Sequence, residues 1–92
     1  MQDLCLKDLY GSQVLNMVER ENVAQLEKWG VQDHSAELWY MITAEEFGEL
    51  AMAMLEDIYN PNPQSVVKEA IQTATLCLKI AEMYQSKYRE EK

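Results

Sequence analysis

Two short breaks divide this chain and restrict what it can become. The first is GVQDHS, Gly30 to Ser35, and the second is NPNPQ, with Pro61 and Pro63 two residues apart. Glycine and proline are the strongest local punctuation a sequence carries, and the chain has three glycines and two prolines in all. Between the breaks the residues are good helix formers, and no stretch alternates apolar and polar as a half-buried strand does. The pattern predicts an all-α chain of three helices: about 12–29, about 36–59 and about 64–88. Residues 1–11 form an extension with room for a short turn or helix. Gly30 suits the C′ position of the first helix, Ser35 the N-cap of the second, and Pro63 the first turn of the third. The second and third helices are each roughly 35 Å long at about 1.5 Å per residue. Joined by so short a break, they must form an antiparallel hairpin.

At 92 residues the chain makes one small domain, a size at which folding alone is marginal. Placing side chains at about 100° per residue, Tyr40, Phe47, Ala51, Met54 and Ile58 share one stripe of the second helix. Glu45, Glu49 and Glu56 lie opposite, and Glu46 falls between Trp39, Leu50 and Ala53 at the edge of apolar surface. On the third helix Val66, Ala70, Thr73, Ala74, Cys77, Ala81 and Tyr84 form one face. Leu76, Ile80 and Met83 form another, with Glu69 in line. The polar remainder is a strip of Lys68, Gln72, Thr75, Lys79 and Glu82. A helix apolar over most of its girth needs burial on several sides, so the expected partner is a second copy, as a homodimer or homotetramer. Met41, Met52, Met54 and Met83 read as core or subunit contacts.

Sixteen acids against eight bases leave a net charge of −8. That balance speaks against a nucleic acid or an anionic membrane as partner, because a phosphate backbone needs a basic footprint. No apolar run approaches the ~20 residues of a membrane helix. MQDLCLKDLYGS lacks the apolar stretch of a secretion signal, and Cys5 and Cys77 suggest neither a disulfide framework nor a zinc site. The expected compartment is the cytoplasm.

Glu46 and Glu49 are three residues apart and so neighbours on one helix surface; Glu69 and Gln72 repeat that spacing on the facing helix. Brought together, they offer up to three carboxylates and an amide, the oxygen donors that a hard cation such as Mg²⁺ takes. Glutamates at this spacing are also common on solvated faces. Glu69 argues for a held group, since it interrupts an apolar stripe and a buried charge needs a partner. His34 reads as a turn residue, because the chain has no ExxH pair for a ferritin-like dimetal site. Trp39 reads as core or as a wall of the site. Trp29 and Lys28 close the first helix, either as a turn anchor and a solvated charge or as a stacking ring and a phosphate contact. Lys79 reads as part of a solvated strip or as a further phosphate contact.

The series KWGVQDH, EEFGELAMA and EAIQTATLCLKIAE, across roughly residues 26–83, resembles the MazG-like all-α nucleoside triphosphate pyrophosphohydrolases. That superfamily carries ExxE on one helix and ExxD on the next. Here the elements are Glu46-Phe47-Gly48-Glu49 and Glu69-Ala70-Ile71-Gln72, so the last acid is replaced by Gln72, as in a branch of those proteins. The resemblance implies a Mg²⁺-dependent enzyme, Mn²⁺ being an alternative, that cleaves a (d)NTP substrate to monophosphate and pyrophosphate. It implies Glu46, Glu49, Glu69 and Gln72 as metal ligands, Glu45 or Glu49 as the base activating water, and Lys28 and Trp29 as substrate contacts. The family's dimers and tetramers agree with the girth of the third helix. Two rivals stand beside this reading: a non-catalytic helical oligomer that binds nucleotide or protein, favoured by Gln72, and a phosphoribosyl-ATP pyrophosphatase, which shares the fold.

Overall fold

The computed structural model describes residues 6–91, with side chains described for residues 13–86. Three helices follow one another: α1 (Leu6–Trp29), α2 (Ala36–Tyr59) and α3 (Pro63–Glu91). The expected helices are all present, and two are longer than expected. α1 passes through Gly11 and starts at Leu6, and α3 runs on to Glu91. Among the described residues no helix is long and apolar enough to cross a membrane.

The ends follow from local chemistry. Gly30 takes φ +70, where a side chain would be strained, and its N–H closes α1 on the Leu26 carbonyl at 2.8 Å. The Ser35 hydroxyl accepts from the Leu38 N–H at 3.2 Å, the N-cap contact of α2. At the second break Asp57 Oδ1 accepts from the Asn62 N–H at 2.6 Å, and Asn62 Oδ1 accepts from the Ser65 N–H at 3.3 Å. Pro63 therefore opens α3 with its missing N–H at a place where none is needed.

The helices run up, down and up, with α3 in the middle. α3 packs on both α2 and α1, and among the described residues the α1 and α2 backbones do not approach one another. On the α2 side the Thr73 hydroxyl donates to the Glu69 carbonyl at 2.8 Å and lies 3.5 Å from the Glu46 carbonyl across the seam. Trp39, Ala53, Ile71 and Leu76 are the buried apolar side chains among those described.

One expectation about faces is corrected. The polar strip of α3 is not its solvent face: Thr75 is the most buried side chain described, and Gln72 and Lys79 are part-buried beside it. That strip packs against α1, where Lys79 Nζ donates to Gln25 Oε1 at 2.5 Å. Thr75 can be buried because its hydroxyl donates to the Ile71 carbonyl at 2.8 Å, which leaves it no unmet donor. The apolar stripe of α2 is the face left outside. Tyr40, Phe47, Met54 and Ile58 are each more than half exposed, as are Met41 and Met52. The seam with α3 runs instead through Trp39, Glu46, Leu50 and Ala53, the edge on which the sequence had placed Glu46.

Candidate metal and substrate cleft

Glu46 and Glu49 stand on one turn of α2, and the antiparallel hairpin brings Glu69 of α3 across from them. Carboxylate oxygens from all three lie within 4.8 Å of one another. Glu49 is exposed, whereas Glu46 and Glu69 are half-buried in the seam. One oxygen of each seam residue, Oε2 of Glu46 and Oε2 of Glu69, is shielded from solvent with no hydrogen-bond partner. Such a group costs free energy until something meets it.

The crowding acts on Glu46. Its carboxyl is pushed up to about 7 from an ordinary 4.5, first by burial, then by the charges of Glu49 and Glu69 and a hydrogen bond with Glu49, and least by Glu45. The crowding thus favours a proton on Glu46. A proton is one relief for packed carboxylates; a divalent cation is another.

One member of the cluster, Glu46, lines a cleft of about 260 Å³ with a wall from each helix: Glu21, Gln25 and Trp29 from α1, Ile42 and Glu46 from α2, Gln72 and Leu76 from α3, closed by Gln32 of the first break. Gln72 therefore stands at the same cleft as Glu46. A wider groove of about 720 Å³ shares Gln32 and continues past Trp39, Lys79 and Met83. A larger groove, about 800 Å³, lies elsewhere between α1 and α3 over Val14, Met17 and Ile71, and touches none of the three clustered carboxylates. The acid cluster and its orphaned oxygens carry the chemical information, so the smaller cleft is the better candidate.

Other expected residues divide. Glu45 is exposed and outside the carboxylate cluster, and like Glu49 and Glu69 it is not part of the cleft wall. Trp29 borders the cleft and remains 55% exposed, enough ring for a ligand to cover. Lys28 is not in that wall; its ammonium sits 4.6 Å from the Trp29 ring centroid, a cation–π contact on one ring face. His34 lies in the first break, edge-on to Trp39 with ring centroids 5.0 Å apart, and Trp39 is core at 4% exposed.

Two residues of the α1 wall, Glu21 and Gln25, were missed from sequence. Gln25 is buried: its Nε2 donates to Glu21 Oε2 at 2.7 Å while its Oε1 accepts from Lys79. Burial holds the Lys79 ammonium below its usual range, against the opposing pull of Glu21 and Glu82. This chain of three fixes the Gln25 amide and points a fourth carboxylate, Glu21, at the cleft. The i, i+4 spacing of Glu21 and Gln25 was a visible signal, but nothing in it says which helix they face.

No family model matches this chain, and neither a curated protein nor a solved structure does.

Proposed function

We propose that the chain is a MazG-like nucleoside triphosphate pyrophosphohydrolase, dependent on Mg²⁺ or Mn²⁺, that works in the cytoplasm as a homo-oligomer and converts (d)NTP to (d)NMP and pyrophosphate. The observation that carries the reading is the meeting of Glu46, Glu49 and Glu69 within 4.8 Å with two shielded oxygens unmet. Oxygen donors in this number and crowding fit a hard divalent cation.

Glu46, Glu69 and Glu49 would hold the cation, with the Gln72 amide oxygen beside them. When bound, it neutralises phosphate charge and polarises the phosphorus under attack. Glu49, the exposed member, is placed to take the proton of the attacking water as the water oxygen bonds to the α-phosphorus and the bond to the bridging oxygen breaks. Glu45 is the poorer base, since it stands outside the carboxylate cluster. With Lys28 on one face of the indole, the other ring face of Trp29 can take a base. The Gln25 and Gln32 amides, at the same cleft, suit its polar edge.

The test is pyrophosphate release from a panel of NTPs, dNTPs and phosphoribosyl-ATP, with Mg²⁺, with Mn²⁺ and with chelator. Metal-dependent release supports the reading, and phosphoribosyl-ATP as sole substrate redirects it to histidine synthesis. Gln72, in the place of an acid, favours the non-catalytic rival. No release from any substrate, with Mg²⁺ still raising the Tm, would decide for that rival.

A further inference from the structure

Trp29, Gln25 and Glu21 stand four residues apart on one face of α1, the face that walls the cleft. Each is about 6 Å from the next along the helix axis. α1 and α3 run in one direction and α2 in the other. Along the cleft, low numbers on α1 therefore lie beside low numbers on α3 and high numbers on α2. Glu46 and Gln72 belong to the Glu21 end, and Ile42 and Leu76 to the Trp29 end. The cleft thus has an order. The indole stands at one end and the carboxylate cluster at the other, with Gln25 and then Glu21 leading from the first to the second.

Glu21 is part-buried and outside the cluster of three. Its Oε2 accepts from Gln25 Nε2 at 2.7 Å, and Gln25 Oε1 accepts from Lys79 Nζ at 2.5 Å. An ammonium can only donate and a carboxylate can only accept, so the Gln25 amide, 6% exposed, has one orientation open to it. Turned over, it would set its NH2 against an ammonium and its carbonyl against a carboxylate. Lys79 is not in the cleft wall and anchors the pair from behind. Glu21 is thereby held by one oxygen. Its Oε1 has no hydrogen-bond partner among the described residues and is left to the cleft.

A nucleotide laid along this order puts its base at Trp29 and its phosphates at the cation end, and its sugar falls between. A carboxylate beside a triphosphate is repulsive unless a donor on the ligand meets it. In that stretch of a nucleotide the donors are the sugar hydroxyls, which carboxylates also take in dinucleotide sites. One oxygen is free, so one hydroxyl is met. We infer that Glu21 reads the sugar: its Oε1 accepts from the 3′-hydroxyl, the one that ribo- and deoxyribonucleotides share, with Gln25 and Lys79 as positioning residues. This rests on the nucleotide reading proposed above and depends on no catalytic step.

The experiment measures binding of the four dNTPs and of their 2′,3′-dideoxy counterparts with Mg²⁺, by tryptophan fluorescence in stopped flow before turnover. The parent is expected to bind a dNTP at least about tenfold more tightly than its dideoxy counterpart, the worth of a hydrogen bond to a charged group. Glu21→Ala should bind the dideoxy nucleotides no worse than the parent and lose the preference. Lys79→Met should lower the same ratio, because it frees the Gln25 amide to turn. Mg²⁺ should still raise the Tm of Glu21→Ala as it does that of the parent. Loss of that rise would make Glu21 a cation ligand and overturn the sugar contact. Equal binding of dNTPs and dideoxy nucleotides by the parent overturns the assignment and leaves the nucleotide reading standing. So does a Glu21→Ala that weakens both alike and keeps the ratio, as a purely structural residue would. Binding of no nucleotide overturns both. If Glu21→Ala does not fold, Glu21→Gln takes its place, and its uncharged oxygen should keep only a few-fold preference.

Discussion

Glu46→Gln probes the cluster without changing its shape. In the folded chain the Glu46 carboxyl titrates at about 7, and in the unfolded chain near its ordinary value. Between about 4.5 and 7 the folded state therefore binds more protons than the unfolded one, and stability falls as pH rises through that window. Below the window the carboxyl is neutral in both states and contributes nothing. Above it the full penalty of a crowded, part-buried charge is present. The shift corresponds to ~3 kcal/mol at face value, and solvent screening of a partly exposed group brings this to about 2 kcal/mol. Glutamine keeps the shape and cannot ionise. Glu46→Gln should therefore be ~2 kcal/mol more stable than the parent at pH 8 in EDTA, or about 8–16 °C in Tm for a domain this size. At pH 4.5 the gap should shrink to about 0.4 kcal/mol, since only the unfolded carboxyl is then half ionised. Mg²⁺ should reverse the order at pH 8, because it stabilises the parent through ligands that the variant has weakened. Scanning calorimetry at pH 4.5, 6, 7 and 8, at one protein concentration and with EDTA or Mg²⁺, measures all of this. A pH-independent gap between the two proteins would refute the crowding argument. A gap that closes at low pH but ignores Mg²⁺ would keep the crowding and remove the metal.

Further outcomes follow from the same geometry. Gln72→Asp adds a carboxylate at the cleft and should tighten Mg²⁺ binding while lowering Tm in EDTA, read by calorimetry and metal titration; an unchanged Mg²⁺-induced shift would place residue 72 outside the ligand set. Trp29→Ala removes the ring at the cleft and should raise KM about tenfold, the value of one base stacking contact, with kcat and the far-UV spectrum little changed. Loss of fold with unaltered affinity in what remains would make Trp29 a turn anchor. Ser35→Ala deletes the α2 N-cap and should cost about 1 kcal/mol in urea melts; a neutral result would mean that the cap is met by water at no loss.

The three helices, their caps and the fold class were legible in the sequence because they are local. Gly30, Ser35 and Pro63 act within a few residues of themselves, and so does the spacing that sets Glu46 beside Glu49. Glu69 was legible too, as an acid interrupting an apolar stripe. Which face of each helix meets another was not. Helical periodicity put Tyr40, Phe47, Met54 and Ile58 on one apolar stripe of α2, yet the seam formed one edge over, through Trp39, Glu46 and Ala53. It offered Thr75 and Lys79 as solvent-facing, yet α1 covers them. A single chain has more apolar surface than it can bury, so composition alone leaves several pairings open, and interlocking of side chains between elements selects one. The gathering of Glu46, Glu49 and Glu69, the rise of one proton affinity to about 7 and the arrival of Glu21 and Gln25 at the cleft all depend on that choice. They are distances between residues far apart in the chain, and tertiary packing alone decides them.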